Sequence, residues 1–263
     1  MGAQAESGRM VVGESEAARE IAFVALPATP AGAALPGLVW LGGFKSDMTG
    51  TKALAIEHFA AETGRACLRF DYSGHGASGG AFEDGTISRW LQESLAIIRA
   101  KTRGPQVLIG SSMGGWLALL AARALAQAGE ENRIAGMVLI APAVDFTSEL
   151  MEPSLSEKAK AEIARTGRWM RPSDYSPEPY PITKKLLDDG RNHLMFGTAI
   201  RTYGPAHILQ GMQDPDVPWK HALALVEHLA DDPATLSFIR DGDHRLSRDQ
   251  DIARLISAVA EIK

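Results

Sequence analysis

The segment Gly110-Ser111-Ser112-Met113-Gly114 sets a hydroxyl between two glycines at the Gly-x-Ser-x-Gly spacing. That spacing suits a serine on a strand-to-helix turn too tight for Cβ atoms on either side. A hydroxyl lifted out of such a turn can attack a carbonyl once a base takes its proton, which is the chemistry of acyl transfer. The pattern alone is weak, since about one chain in six of this glycine and serine content would carry it by accident. It also recurs at Gly76-Ala77-Ser78-Gly79-Gly80. Context separates the two. Gln106-Val107-Leu108-Ile109 precedes the first as a buried strand, and Trp116 to Ala122 follows it as a strong helix former. The second runs into Ala81-Phe82-Glu83-Asp84-Gly85, which promises neither element and reads as a glycine-rich loop. Ser112 is therefore the candidate nucleophile, Gly115 extends the steric relief by one position, and Ser111 falls one place too early in the turn.

A base and an acid must follow Ser112 in the order Ser, acid, His that accompanies this elbow. Of the seven histidines, His58 and His75 come before it. His193 lies in an irregular stretch, and His207 opens a strand at the wrong end of a sheet. His221 and His228 are expected on the exposed face of a helix. His244 alone follows the last strand, in the loop Asp241-Gly242-Asp243-His244. The acid has to fix the imidazole tautomer and stabilise the imidazolium. Asp214 and Asp216, in the loop after a strand, and Asp145, after an earlier strand, all qualify by position. For the oxyanion, backbone N–H groups of Met113 and of Phe44, in the loop Leu41-Gly42-Gly43-Phe44, are the candidate donors. No metal or cofactor is expected.

These residues must be positioned by a regular frame. Short apolar runs at 21–26, 38–41, 66–70, 106–109 and 134–140 alternate with helical stretches at 52–62, 87–101 and 113–128. Such alternation is the pattern of a mostly parallel sheet with helices on both faces, whose sites lie beyond the carboxyl ends of the strands. It breaks between about 144 and 203, where Pro153, Pro172, Pro177, Pro179 and Pro181 interrupt short helical pieces, and resumes at 206–229 and 236–261. One α/β domain spanning 1–263, with a helical cap inserted at about 144–203, is the expected organisation. Residues 1–20 are expected to be a loose leader.

A net charge of −5 argues against nucleic acid as a partner, because phosphate recognition needs clustered Lys and Arg. Cys67 is the only cysteine and sits in a strand, so it reads as a core thiol. No run is long and apolar enough to span a bilayer. The N-terminus lacks a signal-peptide core, and the expected location is cytoplasmic.

With these residues placed, the chain resembles the α/β-hydrolase fold family, in the branch that holds animal mitochondrial palmitoyl-protein thioesterases and acyl-glucuronide esterases. The resemblance runs from about residue 43 to the C-terminus. It is carried by Thr51-Lys52-Ala53-Leu54-Ala55-Ile56-Glu57, Arg69-Phe70-Asp71-Tyr72-Ser73-Gly74, Gly110 to Trp116, Gly211-Met212-Gln213-Asp214, Val217-Pro218-Trp219 and Asp243-His244-Arg245. It implies a serine hydrolase that cleaves carboxylic esters or thioesters through an acyl-serine. The substrate would be a small ester or thioester or an acylated protein. In that family the acid stands in a Gly-x-x-Asp turn thirty residues before the His, which favours Asp214 over Asp216. Gln210 departs from the His usual before that turn, and the animal relatives' mitochondrial address is not matched. C–C bond hydrolysis or haloperoxidase-like chemistry can use the same fold and triad, and a silent ligand-binding protein would lack a triad member. Trp116, Trp169 and Tyr175, with Met170, Tyr180, Met195 and Phe196, are candidates either to line an acyl pocket or to anchor the cap.

Overall fold

The alternating side chains of each apolar run supply both faces of a sheet, since successive residues of a strand point to opposite sides. In the computed structural model, which describes residues 4–172 and 178–263, β3 (Gly37–Leu41) shows this directly. Leu38 and Trp40 join one core, with α1 (Thr51–Thr63) and α8 (Asp249–Glu261) packed over it. Val39 and Leu41 join the other, beneath α2 (Ile87–Lys101), α3 (Met113–Gln127) and α7 (Trp219–His228).

The sheet has eight strands in the order β1-β2-β4-β3-β5-β6-β9-β10. β4 (Cys67–Phe70), β3, β5 (Gln106–Ser111), β6 (Ile134–Ile140), β9 (Ala206–Gly211) and β10 (Ala234–Ile239) run parallel. β1 (Glu6–Val12) and β2 (Arg19–Leu26) close one edge in antiparallel pairing. The leader is thus not loose: its residues 6–12 pair in register with β2 from Glu6 opposite Ala25 to Val12 opposite Arg19. Backbone pairing along an edge forms this strand although five of its seven residues are exposed, so no hydrophobic alternation announces it. Cys67 is buried in β4, and burial pushes its thiol up to about 12, which keeps it protonated and inert.

Between β6 and β9 the chain leaves the sheet. A π-helical turn at Thr147–Met151 runs into α4 (Glu152–Ser154) and α5 (Glu157–Thr166). Two short strands, β7 (Arg168–Arg171) and β8 (Tyr180–Thr183), pair antiparallel before α6 (Lys184–Gly190). The insert is therefore not purely helical. Its strand pair is four residues long on each side and contains Pro181, too little pattern to read from sequence.

Candidate active site

Because β3, β5, β9 and β10 are parallel, the loops after them leave along one edge of the sheet, and those loops carry Phe44, Ser112, Asp214 and His244. Ser112 fills the single position between β5 and α3, with φ 54° and ψ −118°. A side-chain-bearing residue avoids that region unless its surroundings hold it there. They do so here. The Ser112 N–H donates to Ile140 O at 2.8 Å, and its carbonyl accepts from Gly115 and Ala143 at 2.9 and 3.1 Å. A Cβ on Gly110 would fall on the carbonyl of Gly114, and one on Gly114 would fall on the carbonyl of Leu41. Ser111 is buried while Ser112 keeps partial exposure. Met113 opens α3, and among the described residues nothing accepts its N–H, as expected of a first helical turn.

Asp214 is buried at the start of the loop after β9, and its Oδ2 lies 2.8 Å from Nδ1 of His244. A carboxylate can only accept, so Nδ1 carries a proton, and in the neutral ring the lone pair lies on Nε2. The other oxygen, Oδ1, accepts the N–H groups of Asp216 and Val217 at 2.9 and 2.8 Å. No hydrogen bond joins Ser112 to His244 in this structure, and such contacts are commonly long in unliganded sites and tighten in the complex. Of the three acids that position allowed, Asp214, which the resemblance favoured, reaches the imidazole. Asp216 offers its backbone to Asp214, and one of its carboxylate oxygens lies within 4.8 Å of the Asp214 and His244 ligand atoms. With both Asp214 oxygens already taken by N–H donors, this cluster is arranged to orient an imidazole. Asp145 is buried elsewhere, accepting the N–H groups of Met195 and Phe196 at 2.9 Å, where it ties the far end of the insert to the end of β6.

Phe44 lies in a loop pressed onto the elbow: a Cβ on Gly43 would sit 3.5 Å from Ser112 Cβ. Among the described residues no acceptor takes the Phe44 N–H. Its ring packs against Phe82, Phe146 and Tyr180, with centroids 4.9, 5.7 and 5.8 Å away. Trp116 has no exposed surface and stands edge-on to Phe146 at 5.7 Å, so it is a core residue beneath the insert and not an open pocket wall. Trp169 is half-buried on β7, and Tyr175 lies outside the described residues. His221 and His228 do not share an exposed face. The ring of Phe196 covers both, at 5.1 and 5.0 Å, and His221 Nε2 bonds the carbonyl of Val144.

Two contacts escaped the sequence. Gln210, fully buried, aims Nε2 at Val217 O (2.9 Å), Gly211 O (3.0 Å) and Asp214 Oδ2 (3.3 Å). Its position at the end of β9, four residues before the acid, was the available signal. Lys52, on α1, donates to the carbonyl of Arg245, next to His244. Burial and the Arg245 charge bring its ammonium down to about 8.

The Alpha/beta hydrolase family profile matches residues 24–258. The human mitochondrial palmitoyl-protein thioesterase ABHD10 is 34% identical over 228 residues, covering 86% of this chain and 72% of its own length. Among solved structures, a putative hydrolase from Agrobacterium vitis S4 superposes with a TM-score of 0.94 at 51% identity, covering 99% of this chain and 100% of its own. Mouse alpha/beta hydrolase domain-containing protein 10 gives 0.82 at 30%, covering 97% of each chain. These relatives overturn the expected cytoplasmic location, for the thioesterases matched at 33–35% identity are mitochondrial proteins. Among the described residues no helix is long and apolar enough to cross a membrane.

Proposed function

Since the chain belongs to the alpha/beta hydrolase family, we propose that it cleaves carboxylic esters or thioesters through an acyl-enzyme on Ser112. The observation that carries this reading is the 2.8 Å bond from His244 to Asp214, at the sheet edge where the strained elbow ends. His244 Nε2, left with its lone pair, takes the Ser112 proton as Oγ attacks the carbonyl carbon. Asp214 stabilises the imidazolium without taking the proton. The negative charge that develops on the carbonyl oxygen is met by the Met113 and Phe44 N–H groups. Collapse of the tetrahedral intermediate breaks the bond to the alcohol or thiol, which leaves with the proton from His244. Water then gives a proton to His244 as its oxygen attacks the acyl carbon, and collapse of this second intermediate breaks the bond to Ser112 Oγ, which takes the proton back from His244 as the carboxylic acid leaves.

The insert between β6 and β9 serves as the cap. Phe146 and Tyr180 bring its apolar face to Phe44, so the acyl side of the substrate lies against aromatic surface. The names of the relatives put acylated proteins among the substrate candidates beside small esters and thioesters. Fluorophosphonate labelling and turnover of p-nitrophenyl esters and acyl thioesters test the assignment. Labelling on Ser112 that disappears in Ser112→Ala is expected; labelling that persists in that variant refutes it.

A further inference from the structure

His75 is a buried imidazole that the proposed reaction does not use. It is 4% exposed, with the rings of Phe82, Trp90 and Tyr72 around it at 5.1, 5.2 and 5.6 Å. Both of its nitrogens are engaged, and the partners fix the tautomer without ambiguity. Nδ1 faces the carbonyl of Ser73 at 3.2 Å, which can only accept. Nε2 faces the N–H of Lys45 at 3.2 Å, which can only donate. The ring therefore carries its proton on Nδ1 and presents a lone pair to Lys45. Burial, aided by the Lys45 charge, lowers its pKa to about 4 against the opposing pull of the Ser73 carbonyl, so at neutral pH the acceptor is intact.

The residue it holds is conformationally expensive. Lys45 has φ 61°, in the left-handed region that side-chain-bearing residues rarely enter. It directly follows Phe44, whose N–H, without an acceptor among the described residues, belongs to the loop lying on the Ser112 elbow. The peptide joining Phe44 to Lys45 cannot rotate while its N–H is held by His75. The anchor is itself anchored: Ser73 O also accepts from Trp90 Nε1 at 3.1 Å, and Ser73 N–H donates to buried Glu93 at 2.9 Å. Asp71 adds a second tie between the same two loops, accepting from Met48 at 2.7 Å and Ala77 at 2.8 Å.

From this geometry we infer that His75 is a positioning residue for the oxyanion site, its Nε2 holding the Lys45 amide so that the neighbouring Phe44 N–H stays aimed at the reacting carbonyl oxygen. The inference rests on the reading of Ser112 and Phe44 given above.

Two substitutions divide the ring's roles. His75→Asn keeps a donor near Nδ1 and loses the acceptor for Lys45, whereas His75→Gln can set its Oε1 close to the Nε2 position and keep that acceptor. In His75→Asn, kcat is expected to fall about tenfold to a hundredfold, less than the loss of a whole oxyanion donor, with KM little changed. Affinity for an alkylboronic acid, whose tetrahedral adduct places an oxygen in the same site, should fall in parallel. His75→Gln should restore both to within about threefold of the parent. If His75→Asn retains kcat and boronate affinity, or if His75→Gln folds normally and is as impaired as His75→Asn, the inference is overturned. Should His75→Asn fail to fold, His75→Gln alone decides: near-parental kcat supports the role, and a hundredfold loss at unchanged thermal stability overturns it. Absence of Ser112 labelling in the parent would bring down the underlying assignment itself, a result distinct from any of these.

Discussion

His244 Nδ1 and Asp214 Oδ2 stand 2.8 Å apart across thirty residues of chain, joining the loop after β9 to the loop after β10. Replacing Asp214 by Asn would leave the shape nearly intact and turn the acceptor into a group that can donate to the ring, favouring the wrong tautomer. A fall in kcat of about 10⁴-fold is expected, with little change in KM. Asp216→Asn should stay close to the parent, because the contribution of Asp216 to Asp214 is a backbone N–H. Steady-state kinetics on a p-nitrophenyl ester checks both, and a larger loss in Asp216→Asn would reassign the acid.

Gln210 Nε2 also reaches, at 3.3 Å, the Asp214 oxygen that meets His244. Gln210→Leu removes the donor and concentrates the carboxylate's acceptor strength on the imidazole. The same change strips the carbonyls of Val217 and Gly211 of a buried donor, at a cost of roughly 1–3 kcal/mol in unfolding free energy. Urea unfolding of parent and variant measures this cost, and an unchanged unfolding free energy would show that the two carbonyls find another donor.

The legibility of this site in sequence follows from which of its constraints are local. The elbow was readable because strand, glycine spacing and helix are contiguous, and the backbone strain at Ser112 falls where those three require it. The boundaries of α2 and β6 match their sequence patterns because α2 carries a clear apolar period and β6 is an unbroken apolar run. β1 was missed because its pairing with β2 is a backbone property of an exposed edge. The roles of His75 and Gln210 were missed for a different reason: each acts on a backbone group or carboxylate whose position only the folded loops determine. Position alone allowed three acids and the Gly-x-x-Asp resemblance favoured Asp214, the one whose carboxylate meets the imidazole.

Gly114 offers a test of the elbow's packing. Its missing Cβ would coincide with the carbonyl oxygens of Leu41 and Gly42, which belong to backbone and cannot swing aside. Gly114→Ala should therefore destabilise the protein by more than the 1–3 kcal/mol typical of overpacking, and displace the loop that bears Phe44. Gly129→Ala is the control, since it meets nothing within 4 Å and pays only for its φ of 73°, about 1–2 kcal/mol. Urea unfolding of the two variants should rank them in that order, and equal costs would mean that the elbow yields more readily than its contacts imply.

The neutral state of His75 links stability to pH. Its pKa is 6.5 in the unfolded chain and about 4 in the fold, so between those values the unfolded chain binds more protons and acid favours unfolding. The contribution is complete above about pH 6.5 and is lost as pH falls toward 4. Between pH 7 and 4.5 the parent should lose about 2 kcal/mol more than His75→Gln, which has no imidazole to charge there. Asp71, raised by burial, and the Lys45 amine and Glu93 also stand near the ring, but they are common to both proteins and cancel in the difference. Urea unfolding of both proteins at the two pH values measures it. Parallel losses would mean that water reaches His75 and that the ring charges without unfolding the loop.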